Sequence, residues 1–377
     1  MPSDVMRSKL VSKLDDITAA LNRVPVDVAA LRRLAISPGG LVCNEARVKV
    51  WPYLLDVVDH FILKPGNVRD HPEFYQVVLD VKRSGKRFPP GYSTAEKTDL
   101  ENKLTELILS VLCYHPELHY YQGYHDICIT FLMVCGEKQS LPLIEKISTH
   151  HLRDFMDPTM DSTSHILNYL IPILNKSNPS LVEYLLQSEV GTIFALSWLI
   201  TWYSYVIPVQ EDIERLYDFF LSCHPLMPVY FAAQIVLDSA DAILDGECEM
   251  ARIHQLLLQI ARKPDLPLED LIQRASDFYI QFPPSSLADE AMQYYKDSLA
   301  VSTFCDYALV AYHEAPDVVL QRRGIIKSIV VGDESSQQNN LFYAAKVAMY
   351  AFGGTVKATV AAIGNKALQW VPNFMRY

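Results

Sequence analysis

Residues 94–113 read TAEKTDLENKLTELILSVLC. Thr94 can cap a helix, and Asp99 and Glu101 load the early turns, where the helix dipole favours negative charge. Leu100, Leu104, Leu107, Ile108, Val111 and Leu112 then recur at three- and four-residue spacing, which lines one helical face with apolar groups. His115-Pro116 closes the segment, because proline disfavours helical backbone in the residue before it. The chain on either side repeats this period of 3.6, with no strand-length alternation and no fixed repeat. The pattern predicts an all-α fold.

Working outward, residues 5–34 read as one or two amphipathic helices on Leu10, Leu14, Ile17, Ala20 and Leu21. Ser37-Pro38-Gly39-Gly40 is a break and the expected start of the main domain. Helix resumes over 45–58 and 74–83, with loops at 64–71 and 84–93. Residues 120–126 open the next helix, whose body, 127–135, is apolar all round and is expected at the centre. Further helices are expected over 140–155, 161–176, 179–186, 190–206, 210–222, 227–244, 266–281 and 287–313. The stretch GDESSQQNN, 332–340, reads as a linker. The expected organisation is an N-terminal helical extension (1–37), a main domain (38–250), a C-terminal helical extension packed on it (251–331), and a linker with an apolar tail (332–377).

Composition narrows the function. Half of the 377 residues are hydrophobic, enough for a sizeable core, and the formal charge of −11 is the wrong sign for a phosphate-backbone binder, so no nucleic-acid partner is expected. The seven cysteines form no C-x-x-C pair and sit mostly among apolar residues, which predicts buried free thiols. Residues 1–13 carry mixed charge without an apolar core, unlike a signal peptide. Residues 190–210 hold no charge, and 219–237 hold only His224 as an ionisable side chain other than cysteine and tyrosine. Both tempt a membrane-spanning reading. Hydroxyl side chains and Pro208 in the first, and Pro225 and Pro228 in the second, favour buried helices of a globular core instead.

Two short polar stretches carry chemistry: VVLDVKR at 77–83 and YYQGYHD at 120–126. Arg83 follows Asp80 by three residues, so on a helix they share a face and can pair. The pair would hold a planar, forked guanidinium suited to phosphate oxygens. Gln122 stands two residues after Tyr120, and its amide can donate to a phosphate while accepting from water. An arginine and a glutamine are the two side chains that speed hydrolysis of a bound nucleoside triphosphate. Taken singly, the first stretch also fits a solvated helix end and the second an aromatic core corner. Arg87 is a competing basic side chain. Pro116 breaks the helical register between His115 and His119, so no metal is expected there. Arg47 and Trp51 lie one turn apart, so the guanidinium can cover the indole or simply pack beside it.

In order, R-x-x-x-W (Arg47, Trp51), V-x-x-D-x-x-R (Val77, Asp80, Arg83) and Y-x-Q (Tyr120, Gln122) resemble the fingerprint of the TBC-domain Rab GTPase-activating proteins. Ser197-Trp198-Leu199 with the segment from Glu211 to Phe220 resembles a later motif of that family, and Asp80–Gly91 with Leu118–Asp126 resembles an endoplasmic-reticulum-associated member. The departures are Val77 for isoleucine and Tyr124-His125 where many members have Met-Asn. The resemblance implies a helical Rab-GAP domain over 38–250 that acts on a GTP-bound Rab. Arg83 would be an arginine finger and Gln122 a glutamine finger, supported by Asp80 and Tyr120. Arg47 and Trp51 would organise the adjacent partner-binding surface. The chain would need no cofactor, since the Rab brings GTP and Mg²⁺. The site would lie on the cytosolic face of the endoplasmic reticulum or early secretory membranes. Residues 341–377 would offer membrane contact, through an anchor or an interfacial helix, or else form a soluble tail. The rival reading is a TBC-like scaffold that binds a Rab without accelerating hydrolysis.

Overall fold

A computed structural model describes residues 4–58, 67–88 and 91–293. Among them are sixteen α-helices and three short 3-10 turns, with no strand, as the periodicity predicts. The expected linker, the apolar tail and most of the 287–313 helix lie outside the described residues.

Helices α1 (Asp4–Leu21) and α2 (Val28–Ile36) pack together, and α2 seats Leu31 and Ala35 in the core against α3 (Asn44–Leu54). Helix α4 (Phe74–Arg83) is amphipathic: Val77, Asp80 and Val81 face inward while Tyr75, Leu79, Lys82 and Arg83 face water. Lys82 and Arg83 occupy its last turn, where the dipole favours cations. A 3-10 turn, Ser84–Arg87, follows directly where a plain loop was expected.

Helix α5 (Thr94–Tyr114) starts one residue earlier in its cap than the sequence suggests. Ser93, not Thr94, is the N-cap, in a capping box with Glu96 that satisfies two helix-end donors reciprocally. Helix α5 lies against α6 (Tyr124–Thr149), and from Tyr124 through Leu132 α6 is wholly buried, the expected central helix. Gly136 kinks it with φ +70 and ψ 170. By length and composition α6 could cross a membrane, but its apolar surface is covered by the core.

Beyond α6 come α7 (Asp161–Asn168), α8 (Leu170–Ser177) and α9 (Pro179–Gln187). The helix expected over 190–206 is mostly absent. A 3-10 turn, Ile193–Ala195, leads into one short helix, α10 (Leu196–Ile200), and the chain then turns with Trp202 and Tyr203 at φ +45 and +66. Tertiary packing overrides the local pattern here. The Trp202 ring meets Tyr217 at 5.3 Å and Phe220 at 5.7 Å, and the Tyr203 ring meets Phe231 at 5.0 Å. Left-handed backbone costs roughly 1–3 kcal/mol per residue. Burying an aromatic of about 200 Å² at about 25 cal/mol per Å² returns ~5 kcal/mol, so the turn wins.

Helices α11 (Gln210–Ser222) and α12 (Met227–Asp238) are separated at Pro225, as expected, and α13 (Ala240–Leu244) follows. Helix α14 (Met250–Ile260), which the sequence reading missed, buries Ile253, Leu257 and Ile260. Helix α15 (Leu268–Gln281) packs on α12, and α16 (Pro284–Gln293) on α7 and α8. No disulfide joins the described cysteines, and burial pushes the Cys135 and Cys223 thiols up to about 12, so both stay protonated.

Just after α6, His150 and His151 stack edge to face at 5.0 Å. Burial, with nearby cations, drops His150 to about 3 and His151 well below its usual value, so both stay neutral in the folded state. The unfolded chain protonates them near pH 6.5, so stability should fall as pH drops below that point, by up to about 1.4 kcal/mol per pH unit per histidine. His115 opposes this: its bond to Glu145 at 2.8 Å raises its value, giving stability that is full below about pH 6.5 and fades above. Urea unfolding at pH 7.5 and 5.5 should show a net acid loss that shrinks in His151→Phe. An unchanged loss would refute the assignment.

Candidate functional site

The end of α4 and the turn before α6 meet at one carboxylate. Asp80 is fully buried. Its Oδ1 accepts from Arg83 Nη1 at 2.9 Å, while Oδ2 accepts from Gln76 Nε2 at 2.9 Å and from the Tyr120 hydroxyl at 3.1 Å. Gln76 lies one turn before Asp80, a pairing the spacing allows but the sequence reading missed. The Arg83 side chain remains 57% exposed, so its guanidinium is held from below and open above. Arg83, Asp80 and Tyr120 are thus brought together as expected.

Tyr120 is the hinge of this arrangement. Burial, and then the Asp80 carboxylate beside it, push its phenol well above the usual value, so it remains a donor. It also sits 3.0 Å from His125 Nδ1. A hydroxyl has one proton, so with that proton on Asp80 the His125 Nδ1 carries its own. The Tyr120 backbone N–H donates to Glu73 at 3.0 and 3.1 Å, binding the turn to the start of α4. His119 N–H donates to the Met156 carbonyl at 2.9 Å, and the Tyr121 hydroxyl to the Ile200 carbonyl at 2.9 Å.

Gln122 rides on this braced turn, half-buried, and its amide has no hydrogen-bond partner among the described residues. Gly123 follows at φ +113, and a Cβ there would lie 2.9 Å from the Thr201 methyl. Glycine is therefore required twice, for its left-handed backbone and for the close approach of the α10 turn. The groups that approach are the side chains of Ile200 and Thr201.

Arg87, the competing candidate, is placed differently. Its side chain is mostly buried and donates to the Asp126 carbonyl, to Thr130 Oγ1 at 2.9 Å and to Gln210 Oε1 at 3.2 Å. It bolts the 3-10 turn to α6 and α11. The histidines near the turn also go separate ways, His115 to Glu117 and Glu145, and His125 to Tyr120. Among the described residues no cluster of three or more metal-ligating side chains occurs.

Arg47 and Trp51, expected at the partner surface, are inside. Trp51 is fully buried, and its Nε1 donates to Asp218 Oδ1 at 2.9 Å. Arg47 donates from Nε and Nη2 to Asp218 at 3.0–3.2 Å and from Nη1 to Glu214 at 2.9 Å. The guanidinium does not lie over the indole; both side chains converge on the Asp218 carboxylate. Buried and fully engaged, the pair presents no group of its own, and any effect on an adjacent surface is exerted from within. Arg215, from the same later motif, seals the end of α2 and pairs with Glu269 at 2.8 Å.

Comparison with known proteins gives the same outline. A family model described as the Rab-GTPase-TBC domain matches residues 44–244. TBC1 domain family member 20 of Bos taurus is 49% identical over 377 aligned residues, covering 97% of this chain and 92% of that protein. GTPase-activating protein gyp10 of Schizosaccharomyces pombe is 33% identical over 245 residues, covering 64% of this chain and 65% of that protein. Among solved structures, the Ypt/Rab-GAP domain of Gyp1p superposes with a TM-score of 0.58 at 14% identity, over 72% of this chain and 98% of that one, a likeness of fold alone.

Loss of the two ion pairs should differ sharply in cost. Asp218→Ala strands the buried Arg47 guanidinium and should cost about 3–5 kcal/mol, or roughly 10 °C in melting temperature. Arg83→Ala removes an exposed pair and should cost within about 1 kcal/mol. Differential scanning calorimetry of both variants checks this; equal effects would contradict it.

Proposed function

The chain belongs to the Rab-GTPase-TBC domain family, and from that premise we propose that it stimulates GTP hydrolysis by a Rab-type GTPase. Arg83 would enter the partner's nucleotide site and neutralise charge growing on the phosphates. Gln122 would orient the attacking water. The nucleotide and its Mg²⁺ come with the Rab, so the chain needs no cofactor of its own. It lowers a barrier that belongs to its partner.

One observation carries this reading. An exposed guanidinium and an unpartnered amide are braced through a single buried carboxylate, Asp80, by way of Arg83 and Tyr120. A guanidinium held this way keeps its fork geometry before the partner arrives, so less entropy is lost on contact. The effect required is large: an arginine finger is worth roughly 10³–10⁵ in rate, or about 4–7 kcal/mol of barrier. The reading extends to traffic between the endoplasmic reticulum and the Golgi, at the cytosolic face of those membranes. Family resemblance supports that extension, and residues 341–377, expected to touch the membrane, lie outside the described residues.

Phosphate release from a panel of GTP-loaded Rabs, with the full chain added, tests the proposal. Stimulation of one or a few Rabs should fall by about 10³ in Arg83→Ala. Arg83→Lys should recover little, because a point charge does not match the fork. Gln122→Ala should also lose stimulation. A folded chain that binds a Rab yet stimulates none would establish the non-catalytic scaffold instead.

A further inference from the structure

The water-facing side of α4 carries two large apolar side chains in line with Arg83. Tyr75 is 79% exposed and Leu79 is 53% exposed. At about 100° per residue, Tyr75, Leu79 and Lys82 fall within about 60° of arc, and Arg83 stands at the edge of that stripe. Scattered exposed apolar residues need no explanation. These two differ in position and in form. Tyr75 is the most exposed aromatic among the described residues, ahead of Tyr114, Tyr205 and Tyr92. Its ring is steadied edge-on by Phe74 at a centroid distance of 5.6 Å. A steadied aromatic loses little freedom on being covered.

Geometry says what would cover them. The helix rises about 1.5 Å per residue, so Leu79 and Tyr75 lie about 6 and 12 Å from Arg83 along the axis. A standard protein interface buries about 800 Å² per partner, a disc roughly 16 Å in radius. If Arg83 enters a GTPase's nucleotide site, the protein rim around that site must come down over the adjoining turns of α4. We propose that Tyr75 and Leu79 are an apolar anchor that docks against an apolar surface beside the nucleotide of a GTP-loaded Rab and selects which Rab is accepted. The proposal rests on Arg83 being the finger. The anchor touches protein rather than the reacting atoms, so it contributes equally before and during the chemical step. It should therefore act on KM and leave kcat alone.

Steady-state phosphate release against Rab concentration, using the full chain and the best-responding Rab of the panel, separates the cases. Tyr75→Ala and Leu79→Ala should each raise KM about tenfold, with kcat retained. Tyr75→Phe should behave as wild type, because the contact is apolar. Ile280→Ala, an equally exposed apolar change on α15, should have no effect. The anchor is refuted if the Tyr75→Ala/Leu79→Ala double variant keeps the wild-type KM while Arg83→Ala loses stimulation, an outcome that leaves the finger standing. Retained stimulation in Arg83→Ala would bring down both.

Discussion

The carboxylate of Asp218 is where the fold is tied. It is buried in the middle of α11 and accepts from Arg47, from the Trp51 indole and from the Leu41 backbone N–H at 2.9 Å. Those donors come from α3 and from the turn before it, so one charge fixes two segments of chain against α11. The approach is close enough to dictate sequence: a Cβ on Gly40 would sit 2.5 Å from Asp218 Oδ2. Burying an ion pair contributes little net stability, since desolvation consumes most of the attraction. Its value lies in fixing one arrangement, because any other leaves a bare charge in the core. From Trp51 the order passes to Phe131 of α6 through an edge contact at 5.3 Å, and α6 begins beside the Gln122 turn.

Asp80 repeats this construction with one difference. It too is buried and multiply hydrogen-bonded, but its cation points outward. Arg47 has spent its donors inside the protein. Among the described residues Arg83 bonds only Asp80 and keeps most of its donors open. The same residue pairing therefore serves as a bolt in one place and as a mount in the other, and burial of the arginine decides which. Arg87 belongs with Arg47, since its donors are taken up by α6 and α11.

The sequence made some of this legible, and the reasons are local. Helices α4 and α11 fall at their expected bounds because their apolar period and flanking breakers agree. Asp80, Arg83 and Tyr120 were readable because two of them sit one turn apart and the third lies in a compact motif. The segment 190–206 was not readable, because its turn is set by rings on α11 and α12 that are distant in sequence. The inward placement of Arg47 and Trp51 was hidden for the same reason: their acceptor lies 167–171 residues away. Nor does Arg87 announce its role locally, since its acceptors come from two later helices, α6 and α11. Helix α14 is a different case. Ile253, Leu257 and Ile260 stand at helical spacing and could have been found.

The proposed placement of a finger at an exposed helix end has an energetic logic. The Asp80–Arg83 pair is an i, i+3 contact with its cation in water, worth at most about 1 kcal/mol. Exchanging part of it for phosphate oxygens costs little. Within a closed, water-poor nucleotide site, as proposed, the same guanidinium would act at a far lower effective dielectric, where charge stabilisation is worth several kcal/mol. On the proposed reading, the difference between those two environments is what would reach the transition state. A finger buried like Arg47 would have to abandon strong bonds first, and the gain at the phosphates would be used up in releasing it. Gln122 follows the same rule from the other side: the turn that carries it is fixed by Tyr120 on Glu73, by Tyr121 on Ile200 and by the glycine that follows, while its amide is left uncommitted among the described residues.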